Sequence, residues 1–249
     1  MPLHFLLGGI DGPAVPTDAQ PGETVVLTGP EAHHAAAVRR LRVGEEVTVG
    51  DGRGAWLEGT CEAVSAREVI VRVTARTDVA PSAPRIVLVQ ALAKGDRDEL
   101  AIQAATELGV DEIMPWQATR SVSRWDAAKA EKGRLRWQTI VREASKQAHR
   151  AWVPHVAPVQ ATAELVRRIA ASRALVLEPT ATKSLASIGA DDPRELVLIV
   201  GPEGGIAPEE LRAFGAVGAE TVRLGHTVLR TSTAGPAALA VLNASLGRW

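Results

Sequence analysis

Between residues 24 and 75 the chain alternates apolar and polar positions in four short runs, TVVLTG, EEVTVGDG, AWLEGTCEAV and EVIVRVTA. Alternation with a period of two marks strands that bury one face, and Gly44, Gly50-Asp51-Gly52 and Gly54 punctuate the runs as turns. The pattern predicts a small β-barrel. Between the first two runs lies GPEAHHAAAVRRLRVG. Its stretch from Glu31 to Leu41 reads as a short helix that stops near Gly44 and carries its arginines at one end.

The texture then changes. RTDVAPSAPR combines two prolines with small and polar residues and reads as a linker over residues 76–84. From Ile86 onward, apolar runs alternate with helical patterns: IVLVQAL, DRDELAIQAATELG, EIMPW, then a long helix across Ala127 to Ala148. Leu100, Ala101, Ala104, Ala105 and Leu108 form one apolar stripe, and Gly109 is placed to close that helix. Further strands are expected at ALVLE (174–178), LVLIV (196–200) and ETVRL (220–224), with helices near 162–171, 208–216 and 234–246. Buried strands alternating with helices imply a parallel sheet. The organisation expected is a β-barrel domain at 1–75, a linker at 76–84 and an α/β domain at 85–249.

Composition narrows the class. Hydrophobic residues make up 46% of the 249, enough to build a core. No run approaches the roughly 20 apolar residues that span a bilayer, so neither a membrane nor a secretory route is expected and the cytoplasm is. A single cysteine, Cys61, excludes an internal disulfide and a cysteine-rich zinc site. No metal is expected, since adjacent His33 and His34 have no further ligand nearby. The net charge is only −1, but positive charge gathers at Arg39, Arg40 and Arg42 and again at Lys146 and Arg150. Spacing alone fits a solvated face as well as a nucleic-acid surface.

Candidate chemistry sits late in the chain. LVLIVGPEGGIAPEEL is a strand, a glycine turn and a helix that starts at Pro208, with Glu209 and Glu210 at the positive end of its dipole. Gly201, Gly204 and Gly205 permit positive φ and close approach of a ligand to the backbone, although a tight structural turn has the same composition. The turn lacks the Lys-Ser/Thr pair of a P-loop and the spacing of a dinucleotide fingerprint. A second such loop follows in LGHTVLRTSTAGPAALAVLNASL. There Ser232 or Thr233 is expected to cap a helix with Pro236 in its first turn, and Arg230 points to solvent or into a cleft. The two loops are expected on adjacent strand ends.

Taken together, LIVGPEGGIAPEEL and RLGHTVLRTSTAGPAAL resemble the paired signature of the ribosomal RNA uracil-N3 methyltransferase family, within the SPOUT superfamily. ALAKGDRDELAIQAATELGVDEIMPWQATRSV, VREASKQAHRAWVP and HHAAAVRRLRVGEEVTVGDG are similar to three further blocks of that family, so the resemblance runs nearly end to end. It implies a PUA-like β-barrel joined to an α/β domain with a parallel sheet and a C-terminal trefoil knot. It also implies S-adenosylmethionine as cofactor, 16S ribosomal RNA of the small ribosomal subunit as partner, and a homodimer that completes the active site.

Carried to this chain, the cofactor residues are Leu177, Glu178, Pro179, Gly201, Gly204, Gly205, Leu224, Gly225, Val228, Leu229 and Thr233, with Gly201 and Gly225 leaving space for adenine. Arg39, Arg40, Arg42, Lys94, Arg120, Lys146 and Arg150 are the groups expected on RNA phosphates, with Trp56, Trp116, Trp125 and Trp152 as candidates for stacking on bases. Arg230 is expected to stabilise charge on the uracil, and Glu203 to act as base or orienting carboxylate. Many family members carry glutamate where this chain has Ser232, so a mechanism needing a carboxylate there does not transfer. Two alternatives stand beside this reading: a SPOUT 2′-O-ribose methyltransferase, and an RNA-binding or assembly protein of the same fold without catalysis.

Overall fold

The computed structural model describes residues 2–8, 17–189 and 192–249. The chain forms two compact units, Met1–Pro81 with Arg142–Val153, and Ser82–Val141 with Pro154–Trp249.

In the first unit, β1 (Leu3–Leu6), β2 (Thr24–Thr28), β3 (Glu46–Gly50), β4 (Ala55–Val64) and β5 (Glu68–Asp78) form one sheet in the order β1-β3-β4-β5-β2. The four alternating runs become β2 to β5, and β1 joins them in parallel with β3. Register shifts at Glu58/Gly59 and Cys61/Ala63 bend β4 against β5, and the sheet curls into a half-barrel instead of closing. Glycine is required at the first shift, because a Cβ on Gly59 would stand 2.5 Å from the Arg72 carbonyl oxygen. Phe5, Leu27, Val49, Leu57, Val69 and Val71 fill the inside. The helix expected over Glu31–Leu41 is broken into α1 (Gly29–His33) and a π turn (His34–Val38), followed by Arg40 at φ 54°.

The second unit is the α/β part. In chain order it contains β6 (Ile86–Ala91), α2 (Arg97–Glu107), β7 (Glu112–Gln117), α3 (Ala127–Gln147, whose last residues belong to the first unit), β8 (His155–Val156) and β9 (Gln160–Ala161). Then follow α4 (Thr162–Ile169), β10 (Arg173–Leu177), β11 (Leu196–Val200), α5 (Pro208–Ala216), β12 (Glu220–Val222) and α6 (Thr231–Ser245). The strand order is β12-β10-β11-β6-β7-β8, with β9 beside β7, and the strand pairs are parallel. β6 and β11 are buried at every position, as central strands covered on both faces must be. At the amino ends of the strands Arg85, Glu112, Arg168 and Glu195 form an ion-pair network. The carboxyl ends, on the other side, carry the loops that matter for chemistry.

Two sequence expectations change here. β11 and β12 follow one another in sequence but β10 lies between them in the sheet. Helix α6 starts at Thr231, three residues before the expected 234, so Pro236 falls inside it and neither Ser232 nor Thr233 is the cap; Arg230 takes that position without a side-chain bond.

Candidate active site at the strand ends

Three consecutive strand ends, those of β12, β10 and β11, open into one cleft of about 430 Å³. β10 supplies Leu177, Glu178 and Pro179; β11 supplies Gly201 to Glu203 with Gly205 and Ile206; β12 supplies Arg223 to Gly225 and Thr227 to Thr231. The interposed β10 explains how loops of non-adjacent strands converge, since its own end forms the cleft's middle wall.

The turn after β11 is held from both sides. Gly205 sits at φ 72° and donates its N–H to the Pro202 carbonyl at 2.9 Å, closing a tight turn. Gly201 needs to be glycine for a reason other than the one expected: its missing Cβ would lie 2.6 Å from Cγ1 of Ile206, so the turn packs on itself there. At Gly225 no atom of a described residue lies within 4 Å of where a Cβ would stand, so that position borders open space. On one flank, Arg120 Nη1 donates to the Gly204 carbonyl at 3.1 Å. On the other, the Glu203 carboxylate accepts from the Lys94 N–H and from Arg97 Nη1, both at 3.0 Å. Burial pushes the Glu203 carboxyl up, but the backbone N–H groups of Glu203 and Lys94 and the Arg97 guanidinium outweigh it, and the net position is below the usual carboxylate range.

Glu210, 2% exposed, fixes the start of α5. Its Oε2 accepts the Ala207 N–H at 3.1 Å, and its Oε1 accepts from the Thr119 N–H and hydroxyl and from the Thr162 hydroxyl. The residue beside Thr119 is Arg120, so this buried carboxylate also sets the loop that reaches Gly204.

After β12, the Arg223 N–H bonds to the Lys183 carbonyl and its own carbonyl accepts from Leu185, both at 2.9 Å. Arg230 follows at the mouth, exposed, with its guanidinium unbonded to any described residue. In the middle wall, Glu178 Oε1 accepts from the Thr180 hydroxyl at 3.0 Å.

Of the expected cofactor residues, Leu177, Glu178, Pro179, Gly201, Gly205, Leu224, Gly225, Val228 and Leu229 line the cleft, as do Glu203 and Arg230. Gly204 and Thr233 do not. Gly204 faces Arg120, and Thr233 is exposed in the first turn of α6. The sequence reading missed Arg97, Arg223 and Thr231, all of which line the cleft. Thr231 carried a readable signal, since it directly follows Arg230 at a helix start; Arg97 and Arg223 carried none.

The basic residues divide. Arg39, Arg40 and Arg42 are exposed on the first unit, and Arg39 and Arg40 line a shallow depression with Glu45 and Glu46. Lys94 and Arg120 are exposed on the second unit, and Arg150 is half-buried in the first. Lys146 leaves the expected phosphate set: it is 7% exposed, with Nζ 3.0 Å from Glu31 Oε2 and 3.3 Å from Glu143. Trp116 is fully buried and leaves the stacking set, while Trp56, half-buried, stacks on His4 at 4.3 Å. Among the described residues no group of three or more His, Cys, Asp or Glu is placed to hold a metal ion, and no helix is long and apolar enough to cross a membrane.

A glycine turn and an arginine-bearing loop that converge from two strands of a parallel sheet with one strand between them, and a separate β unit bearing arginines, define a class that comparison with known proteins makes definite. Residues 81–243 match the RNA methyltransferase domain family and residues 27–74 the RNA methyltransferase PUA domain family, so the chain is built as an RNA methyltransferase. It is 45% identical to ribosomal RNA small subunit methyltransferase E of Mycobacterium bovis over 92% of this chain and 89% of that one. The same enzyme of Bacillus subtilis is 32% identical over 88% of this chain and 90% of that one. The Neisseria gonorrhoeae ribosomal RNA small subunit methyltransferase E, solved bound to S-adenosyl methionine, superposes with a TM-score of 0.86 at 28% identity, covering 98% of each chain. The chain belongs to the ribosomal RNA small subunit methyltransferase E family.

Proposed function

We propose that this chain transfers a methyl group from S-adenosylmethionine to N3 of a uridine in the 16S RNA of the small ribosomal subunit. In this reading it acts in the cytoplasm, as a homodimer, with the C-terminal part of the chain threaded as a trefoil knot. The observation that carries the proposal is the Arg230 guanidinium, bonded to no described residue, at the mouth of a cleft that suits the cofactor.

The fit rests on the cleft's own chemistry. Its volume of about 430 Å³ lies in the range of small-molecule sites. Leu177, Val200, Val222, Leu224 and Leu229 offer apolar surface for a purine. Backbone at the three strand ends offers hydrogen bonds, and the second oxygen of Glu178, bonded to no described residue, can accept from an ammonium or a ribose hydroxyl. When bound, the cofactor supplies a methyl group on a sulfonium sulfur, open to in-line displacement.

The protein's task concerns the other reactant. Uracil N3 carries a proton at neutral pH; that proton passes to solvent water, N3 takes the methyl group as the bond to sulfur breaks, and the transient anion is what the site must stabilise. Arg230 brings a planar guanidinium with several N–H donors to the mouth of the cleft, where it stabilises that charge. Glu203 is ionised and paired with Arg97 and the Lys94 N–H, which makes it an orienting carboxylate and a poor proton acceptor. Arg39, Arg40, Arg42, Lys94, Arg120 and Arg150 contact phosphates and position the substrate.

The test is incubation with labelled cofactor and undermethylated small subunits, followed by digestion to nucleosides. Label in 3-methyluridine is expected; label on ribose would support a 2′-O-methyltransferase, and none a non-catalytic protein. Replacing Arg230 with Ala is expected to lower kcat by about 10²- to 10³-fold, the range for removing one charge-stabilising donor, and to leave the cofactor Kd nearly unchanged.

A further inference from the structure

The two loops that face each other across the cleft share no strand pairing, because β10 separates β11 from β12. Thr231, 6% exposed at the first position of α6, joins the second loop to the first. Its hydroxyl lies 3.0 Å from the Gly201 carbonyl and 2.9 Å from Nε2 of Gln90, a fully buried residue near the end of β6. Gln90 Nε2 also donates to the Ala91 carbonyl at 3.1 Å, which fixes the orientation of the amide. The Thr231 oxygen is therefore the acceptor from Gln90, and its one proton goes to Gly201.

This chain of bonds runs from β6 through the start of α6 to the turn after β11. Stability alone does not account for it. Gln90 Oε1 is buried with no partner among the described residues, a costly state that an apolar side chain at 90 would avoid. The bonds gain a specific placement. Arg230 immediately precedes Thr231, and its carbonyl accepts from the N–H groups of Thr233 at 2.8 Å and Ala234 at 2.9 Å, so its backbone moves with the helix start.

We propose that Thr231 is a positioning residue for methyl transfer: its hydroxyl locks the start of α6 to the Gly201 carbonyl and so holds Arg230 at a fixed distance from the glycine turn. The inference rests on the reading of the cleft as the methyl-donor site. Misplacing a reacting group by about 1 Å costs on the order of 10²-fold in rate, whereas losing one neutral hydrogen bond weakens binding by only about two- to tenfold. The lock therefore acts on kcat more than on cofactor affinity.

Thr231→Val keeps the shape and removes both hydrogen-bonding roles; Thr231→Ser keeps the hydroxyl. The measurements are kcat at saturating cofactor and RNA, the cofactor Kd by calorimetry, and the unfolding midpoint. Thr231→Val is expected to lose about 10- to 100-fold in kcat and less than about tenfold in Kd, with Thr231→Ser restoring both. A kcat for Thr231→Val within about twofold of wild type, or a serine variant as impaired as the valine one, would overturn the proposal, since about twofold is the smallest loss a single bond gives. Should the valine variant not fold, Gln90→Met removes the donor that orients the hydroxyl; a severalfold loss of kcat is expected, and an unchanged kcat overturns the lock. Wild-type protein that neither binds the cofactor nor methylates RNA would count against the methyltransferase reading itself. An active wild type beside an equally active Thr231→Val would count against the lock alone.

Discussion

Lys146 lies in a stretch rich in positive charge, where a phosphate contact is the natural expectation, yet the fold gives it a different task. Its side chain is 7% exposed, and the ammonium bonds to Glu31, itself 4% exposed. Glu31 Oε2 accepts from Lys146, and Oε1 accepts the Leu6 N–H at 3.1 Å. Lys146→Met therefore leaves a buried carboxylate with one hydrogen-bond donor among the described residues, the Leu6 N–H. Breaking a buried pair from one side costs about 3–5 kcal/mol. The expected destabilisation is about 3–5 kcal/mol, or a fall in Tm of roughly 6–20 °C for a chain of this size.

The assay is chemical denaturation of wild type, Lys146→Met and Glu31→Leu/Lys146→Met at pH 7, with RNA affinity measured across salt concentration. The double variant should recover most of the loss, since an apolar pair of similar volume replaces a buried ion pair at little cost. If Lys146→Met kept wild-type stability and the slope of log affinity against log salt fell by about 0.7–1, Lys146 would be a phosphate contact and the structural argument would be wrong.

Three other outcomes follow from the geometry. Glu203→Gln should lower kcat without changing the pH profile between about 5 and 8, because a carboxyl held below its usual range is already ionised there; loss of an acidic limb on substitution would make Glu203 the base. His4, buried and bonded through Nδ1 to Thr48 at 2.9 Å, has its pKa pushed down to about 3 by burial first and then by His149 and Lys146. The unfolded chain takes up that proton first, so stability falls as pH drops from about 6.5 toward 3, by up to about 1.4 kcal/mol per unit; His4→Asn should flatten this decline, and parallel curves would refute it. Gly201→Ala should weaken cofactor binding, since Ile206 must give way to a methyl group 2.6 Å from its Cγ1; calorimetry showing wild-type affinity would mean the turn is more compliant than its packing implies.

What was legible in the sequence was periodic. β2 to β5 stand where alternation put them, and LVLIV spans β11 residue for residue, because a strand buried on both faces leaves an unbroken apolar run. Short elements with no period escaped: β1 has four residues, and β8 and β9 have two each. Their pairing comes from neighbours and not from their own pattern. The helix over Glu31–Leu41 was visible as a helix, but the π turn that ends it was not, since no propensity distinguishes the two.

The site was legible in its loops and illegible in its connections, and the reason is physical. Glycine, proline and a lone arginine advertise backbone geometry and charge locally, so Gly201, Gly205 and Arg230 could be singled out one by one. Pairings between distant residues leave no such trace. Glu203 reads as a candidate base until its own N–H, the Lys94 N–H 109 residues away and the Arg97 guanidinium 106 residues away are seen to hold its pKa down. Lys146 reads as a surface cation until Glu31, 115 residues away, takes it inside. Thr231 reads as filler until Gln90, 141 residues away, gives its hydroxyl a direction. In each case one long-range partner decides whether a polar side chain is a reactant, a scaffold or a means of placing something else. Of the three arginines that line the cleft, Arg97 is committed to Glu203, whereas the guanidinium groups of Arg223 and Arg230 are committed to no described residue, and Arg230 is the one at the exposed mouth.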